Sequence, residues 1–365
     1  MLNANELKAL VTNLKPVKSR EAQFKVDCKE KSDRISTGWL SIDKVLNGGL
    51  TNELYIMGAE TSTGKSAFMM SLAQNIAKQK VNVLYFSLEM GTKEFIARAI
   101  SNLSYEAHTE DKNKRAFTAS DVLYWTYDEG EKVFTKMAYS SYSEYADKYF
   151  ATYGDNLYII EAGLDGFCAK DIANIAALFK KAHTAEQVVV FVDYLQILKA
   201  DQDDRSQTDR KTKTDVAVTT LKALASQIGM PVLTVSSISR SNYNGKITTA
   251  SFKESGDTEY TGGILIGWNW HGVTDTTDKD MVDAEKKACA ERGYRKMVFE
   301  VLKFRNSQRD HDVQLYYYPA YNYFVDKPEF QPDDDNDNPF KNSDKKVICN
   351  TSSEAVTDKS KRKCF

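Results

Sequence analysis

Apolar residues recur along this chain in two rhythms, and their alternation predicts its architecture. NELYIMGAE reads as a short strand running into a loop, SAFMMSLAQNIAKQK has the three-to-four-residue apolar spacing of a helix, and VNVLYFSLEM is the continuous apolar run of a buried strand. Strand, helix and strand in that order make a βαβ unit, and so predict parallel pairing. The series resumes with the strand NLYIIEA, the helix DIANIAALFKKAHT, the strand VVVFVDYLQIL, the helix AVTTLKALASQIG and the strand MPVLTVSSIS. ILIGWNW and KMVFEVLKF are further strands, and QLYYYPAYNYFVD a closing hairpin. The expected fold class is α/β, a mostly parallel central sheet flanked by helices.

Three stretches fall outside these rhythms. Residues 1–34 are polar, with Leu7, Leu10 and Leu14 at helical spacing and Pro16 ending the pattern. One short amphipathic linker helix is expected there, docked on its own core or on a neighbouring subunit, because alone it has nothing to bury against. Residues 104–156, rich in Tyr, Asp, Glu and Lys, are expected to be mainly helical and to lie on the surface. DQDDRSQTDRKTKTD reads as a charged loop. After Asp326 the chain becomes low-complexity and polar, ending in KSKRKCF, as a disordered tail does. The predicted division is a linker over 1–34, one α/β domain over 35–326 and a tail over 327–365.

Composition narrows the class without naming a partner. Hydrophobic residues make up 42% of the 365 and charged residues 27%, the balance of a globular protein. No apolar run is long enough to span a membrane, and the Lys- and Glu-studded start lacks the apolar stretch of a secretory signal; a cytoplasmic location is expected. The five cysteines are scattered without a CxxC pair, so neither a zinc knuckle nor a disulfide framework is indicated. With a net charge of −2, any nucleic-acid contact must come from a local basic surface.

Candidate chemistry begins at AETSTGKS, residues 59–66, between a predicted strand and a predicted helix. Backbone N–H groups of such a loop wrap a polyphosphate, Lys65 reaches the terminal phosphates, and the Ser66 hydroxyl can ligate Mg²⁺. Ala59, Ser62, Thr63 and Gly64 complete the loop, with Ala59 standing where the usual pattern has its first glycine. Asp193 ends the apolar strand VVVFVD and brings a carboxylate to the sheet's carboxyl edge, where it can hold Mg²⁺ through water. Glu89, placed at the end of VLYFSLE, projects at the same edge and can orient or deprotonate an attacking water. These residues predict a P-loop nucleoside-triphosphatase that uses ATP and Mg²⁺.

STGWLSIDKVLNGGL, AETSTGKS, YFSLEM, VDYLQIL, PVLTVSSISR, KESGDTE and KFRN occur in that order over roughly residues 35–326. In order and approximate spacing the run resembles the ATPase domain of DnaB-type replicative helicases, which have a RecA-like fold. The resemblance implies that Lys65, Ser66, Asp193 and Arg240 bind Mg-ATP and that Glu89 is the catalytic carboxylate. It implies that Lys303 and Arg305 reach the γ-phosphate held by a neighbouring subunit, so that hydrolysis depends on assembly into a ring, by inheritance a homo-hexamer. It also implies that Lys253, Glu254 and Gly256 belong to a loop that contacts single-stranded DNA. A primase, a loader and a single-strand-binding protein are the further partner candidates.

Departures from the family pattern are equally specific. Ser237 stands where the family has a glutamine thought to sense the γ-phosphate, and a short hydroxyl cannot span the same distance. Ser239 replaces a common asparagine, Tyr260 a common glutamine, and TGGILIG lacks the usual acidic residues. With only residues 1–34 ahead of the ATPase motifs, a shortened helicase of phage or mobile-element type is expected. A second reading, a RecA-like ATP-binding module that assembles on single-stranded DNA or a partner without unwinding, draws on Ser237 and the short N-terminal segment. In the tail, DDDNDNPF is similar to the acidic Pro-Phe tips of single-strand-binding proteins but is internal; a solvated acidic linker is the plainer reading.

Overall fold

The structure, a computed structural model, describes residues 8, 11–12, 14, 16–27, 34–128, 130–163, 166–200, 210–238, 242–252, 263–274, 276–304 and 312–326. Its helices are α1 (Glu21–Asp27), α2 (Leu40–Val45), α3 (Lys65–Lys78), α4 (Thr92–Glu110), α5 (Ala119–Leu123), α6 (Ser143–Tyr153), α7 (Ala169–Ala182), α8 (Arg210–Ala223) and α9 (Lys279–Arg292). The strands are β1 (Leu54–Ala59), β2 (Asn82–Ser87), β3 (Trp125–Asp128), β4 (Val133–Lys136), β5 (Leu157–Glu161), β6 (Val188–Asp193), β7 (Val232–Ser237), β8 (Ile264–Trp270), β9 (Arg295–Lys303), β10 (Asp312–Tyr318) and β11 (Tyr323–Val325).

Nine strands form one sheet in the order β11-β10-β9-β8-β1-β7-β6-β2-β5. Pairing from β8 to β5 is parallel throughout, and β9, β10 and β11 add an antiparallel edge. The parallel strands are apolar at nearly every position because both faces are covered, and side-chain alternation divides them between two cores. Tyr55 and Met57 of β1 and Val189 and Phe191 of β6 face a layer containing α3 and α4. Leu54, Ile56, Val188, Val190 and Val192 face a layer built on α7 and α8. The expected mostly parallel α/β sheet is therefore present, including the hairpin of β10 and β11.

The registers bring the candidate chemistry to one edge. Ala59 at the end of β1 is opposite Ser237 at the end of β7, and Ser87 at the end of β2 is opposite Asp193 at the end of β6. From β1 the chain crosses through α3 to β2, three places away in the sheet, and so leaves a crevice at the carboxyl ends of β1, β7 and β6.

Four expectations change. Residues 104–156 are helical at both ends but contain a two-stranded sheet, β3 with β4, and they are not confined to the surface: Phe117, Val122, Tyr145, Tyr149 and Tyr153 are buried. Tyr145 packs on Phe117 and Tyr149 on Tyr153, and burial raises the pKa of all three hydroxyls, an environment that polarity alone does not reveal. The N-terminal segment holds a 3-10 turn over Val17–Arg20 and the helix α1 as well as the helical residues Lys8, Val11 and Thr12. α8 begins at Arg210, so Arg210–Asp215, expected in a charged loop, are helical. β2 ends at Ser87, two residues before Glu89, which lies in the bend that follows. Residues 201–209 and the tail 327–365 lie outside the described residues.

Candidate active site

The loop from Glu60 to Gly64 opens the N-terminus of α3, where unpaired backbone N–H groups and the helix dipole favour an anion. Gly64, the residue before the helix, has φ of 92°, and a Cβ there would meet the Tyr317 ring at 2.4 Å. Both the left-handed backbone and the approach of Tyr317 therefore require glycine at this position. The rest of the loop is held from outside. The Thr63 hydroxyl donates to the Glu60 carbonyl at 2.9 Å, the Trp268 indole N–H to the Thr63 carbonyl at 3.1 Å, and Arg295 to the Ser62 carbonyl at 2.6 Å.

These contacts shape a cleft of about 560 Å³ lined by Ser62, Gly64, Lys65, Ser66, Glu89 and Asp193 among others. Lys65 Nζ donates to Ser237 Oγ at 3.2 Å and lies 5.5 Å from the centre of the Tyr194 ring. Ser66 Oγ donates to Asp193 Oδ1 at 3.3 Å, and the Tyr85 hydroxyl donates to Asp193 Oδ2 at 3.0 Å. Both carboxylate oxygens of a 3% exposed aspartate are thus partnered. Burial pushes the Asp193 carboxyl above its usual range, while the Ser66 and Tyr85 hydrogen bonds pull it down and the Glu89 charge raises it further. Burial draws the Lys65 ammonium below its usual range, opposed by the charges of Asp193 and Glu89.

An anionic ligand in this cleft would restore the solvation that Lys65 has lost, and a divalent cation would do the same for Asp193. Ser66 Oγ and Asp193 Oδ1 are oxygen donors of the kind Mg²⁺ accepts, and their adjacency fits a metal that keeps waters and phosphate oxygens as its other ligands.

The remaining candidates divide three ways. Ala59 and Thr63 are buried and hold the loop rather than line the cleft. Lys303 ends β9, two places from β1 in the sheet, and is not among the described residues lining the cleft. Arg240, Lys253, Glu254, Gly256 and Arg305 lie outside the described residues. Sequence reasoning missed Arg98, which lines the cleft with Glu94 and pairs with it at 2.6 Å, although Glu-to-Arg spacing of four on a helix was a legible signal. It also missed Tyr85, Tyr194 and Tyr317, which no motif marks, and Gln196. The Gln196 carboxamide donates to Ser236 Oγ at 2.8 Å and accepts from the Ser237 N–H at 3.2 Å.

The chain belongs to the DnaB-like helicase C-terminal domain family, whose model matches residues 34–126 and 133–326. Residues 127–132, which include the last two residues of β3, fall between the matched segments. Among the relatives, the replicative DNA helicase DnaB of Pasteurella multocida is 27% identical over 237 residues, 64% of this chain and 45% of the relative. A probable plasmid replicative DNA helicase of Chlamydia trachomatis is 25% identical over 257 residues, 68% of this chain and 50% of the relative. The chain thus spans about half the length of these relatives. Of solved structures, one described as an ATPase domain superposes with a TM-score of 0.66 at 19% identity, covering 86% of this chain and 100% of that one. A DnaB-like replicative helicase, described with its interactions with primase, superposes with a TM-score of 0.65 at 19% identity, covering 88% and 70%. At that identity the two structures establish the RecA-like fold. Among the described residues no helix is long and apolar enough to cross a membrane.

Proposed function

We propose that this chain is an ATP-hydrolysing motor on single-stranded DNA, a replicative DNA helicase that works as a ring with ATP bound between subunits. The observation that carries the reading is the joint placement of Lys65, Ser66, Asp193 and Glu89 around one cleft at the carboxyl edge of the sheet. Backbone N–H groups at the start of α3 and the Lys65 ammonium bind the phosphates. Ser66 and Asp193 would hold Mg²⁺, which would supply charge neutralisation to the bound phosphates. Glu89, exposed in the bend after β2, orients a water and accepts its proton.

Lys303 and Arg305 act on the neighbouring subunit's γ-phosphate, where a guanidinium stabilises the charge of the transition state. Lys253, Glu254 and Gly256 track the DNA backbone, and Arg240 contributes to nucleotide binding. Residues 1–34 serve as the linker, 35–326 as the motor domain and 327–365 as a tail. The exposed Val11, Leu14, Val17 and Phe24 suit a linker that docks on a neighbouring subunit. Homo-hexamerisation, cooperation with a primase, a loader or a single-strand-binding protein, and a cytoplasmic site of action follow from the same reading.

The test is ATP hydrolysis by the wild type and Arg305→Ala over a range of protein concentrations, with and without single-stranded DNA, with sizing alongside. Hydrolysis that rises with concentration and DNA and collapses in Arg305→Ala despite intact assembly supports the motor. Hydrolysis indifferent to DNA and to Arg305 favours the alternative, an ATP-binding module that assembles on DNA or a partner without unwinding, for which Ser237 is the specific observation.

A further inference from the structure

Glu60 follows β1 directly, and only 4% of its surface is exposed, so its carboxylate is buried at the foot of the phosphate-binding loop. A buried carboxylate beside a polyphosphate site repels the ligand unless a cation offsets it. That cation comes from far along the chain: Lys286 on α9 places Nζ 2.8 Å from Glu60 Oε2. Lys286 also donates to the side-chain oxygen of Asn244, lies 3.8 Å from Asp283 and sits 5.8 Å from the centre of the Trp270 ring. The second Glu60 oxygen accepts the backbone N–H of Asn244. Three segments distant in sequence therefore meet on one ammonium: the start of the phosphate-binding loop, the helix α9, and the stretch 242–252 between β7 and the predicted DNA loop.

That stretch is fixed to β1 at its other end as well. A Cβ on Gly58, two residues before Glu60, would meet the Phe252 ring at 2.4 Å, so Phe252 packs directly on the β1 backbone. Phe252 is also the residue before Lys253. Between the two anchors, the Ile247 N–H donates to Asn269 at 2.8 Å and Lys246 pairs with Glu300 at 2.9 Å. Ser237, by contrast, turns its hydroxyl to Lys65 and its backbone to Gln196, and its short side chain reaches no further.

We infer that Lys286 is a positioning residue that couples the nucleotide cleft, through Glu60 and Asn244, to the stretch 242–252 that leads to the predicted DNA loop, a route parallel to the shortened side chain at Ser237. The inference rests on the motor reading above. Phosphate binding moves the loop that begins at Glu60. Because Lys286 ties Glu60 to Asn244, the stretch 242–252 moves with it. Removing the ammonium leaves Glu60 buried without its cation and the Asn244 side-chain oxygen without its donor, so that only the Asn244 N–H still joins the two ends and the coupling between them weakens.

The experiment measures kcat and KM for ATP with and without oligo-dT for the full chain, Lys286→Met and Lys286→Arg, with circular dichroism confirming the fold. The expected result is that Lys286→Met cuts the stimulation of kcat by DNA about fivefold or more, the scale of a coupling energy, while Lys286→Arg restores most of it. A variant that merely loosens the fold lowers both rates and leaves their ratio standing. Glu60→Gln, which removes the charge but keeps an acceptor for Asn244, should retain more of the ratio than Lys286→Met and serves if that variant does not fold. Stimulation by DNA in Lys286→Met equal to the wild type overturns the inference alone. Absence of stimulation in the wild type overturns the motor reading and the inference with it.

Discussion

The Lys65 ammonium and the Ser237 hydroxyl meet at 3.2 Å across the carboxyl ends of β1 and β7. Ser237 thus gives Lys65 a neutral partner, which a phosphate would displace. Lys65→Ala is expected to lower hydrolysis by about 10²–10³, the scale for losing a preorganised cation on transition-state charge. Ser237→Ala should lower it by no more than about threefold, because a bound phosphate replaces the Ser237 hydroxyl as the partner of the Lys65 ammonium. Steady-state hydrolysis of both variants checks the contrast; an equal loss in both would show that Ser237 acts on the nucleotide itself.

Glu89 is exposed and lines the cleft, where its charge acts on both Lys65 and Asp193. Glu89→Gln should keep nucleotide affinity while lowering turnover by about 10²–10⁴, the contribution of a positioned general base. Binding of a fluorescent ATP analogue measured beside hydrolysis separates the two. Loss of binding together with turnover would place Glu89 in ligand binding instead.

Burial of Asp193 carries a stability cost. Its carboxyl is raised in the fold by burial, so between the unfolded and the folded pKa the folded state holds a proton that the unfolded chain releases. The cost is absent below the unfolded carboxylate range, grows as pH rises toward the folded pKa, and is full above it. Asp193→Asn in the nucleotide-free protein should therefore match the wild type in acid and melt at a higher temperature near neutrality, while losing Mg²⁺-dependent hydrolysis. Thermal melts at several pH values check this, and a variant that melts lower at neutral pH contradicts it.

Gly64→Ala confronts both a left-handed φ of 92° and the Tyr317 ring at 2.4 Å. Strain of this kind costs about 1–3 kcal/mol. Chemical denaturation should register that loss, and nucleotide affinity should fall because α3 would start from a displaced loop. Unchanged stability and affinity would mean that the ring gives way without cost.

Much of this was legible in the sequence. The βαβ alternation, the P-loop and Asp193 could be read because each is local: a strand's apolar run and the residue that ends it are adjacent in the chain. The site's supports were not legible, because they come together only through the sheet order. Tyr85 reaches Asp193 because β2 lies beside β6, and Trp268, Arg295 and Tyr317 reach the loop from strands more than 200 residues later. Lys286 and Glu60 are 226 residues apart, so nothing in the spacing of either predicts the pair. The tyrosines of 104–156 misled for another reason: their polarity suggested a surface, whereas Phe117 and Tyr145 pack edge to face in the core.

The most direct test of the motor is displacement of a labelled strand from a forked duplex by the wild type and Glu89→Gln, with ATP and with a non-hydrolysable analogue. Displacement by the wild type with ATP alone, absent with the analogue and in Glu89→Gln although both still bind the fork, is the predicted result. Binding to the fork and hydrolysis without displacement would contradict it and leave a nucleotide-dependent DNA-binding module in its place.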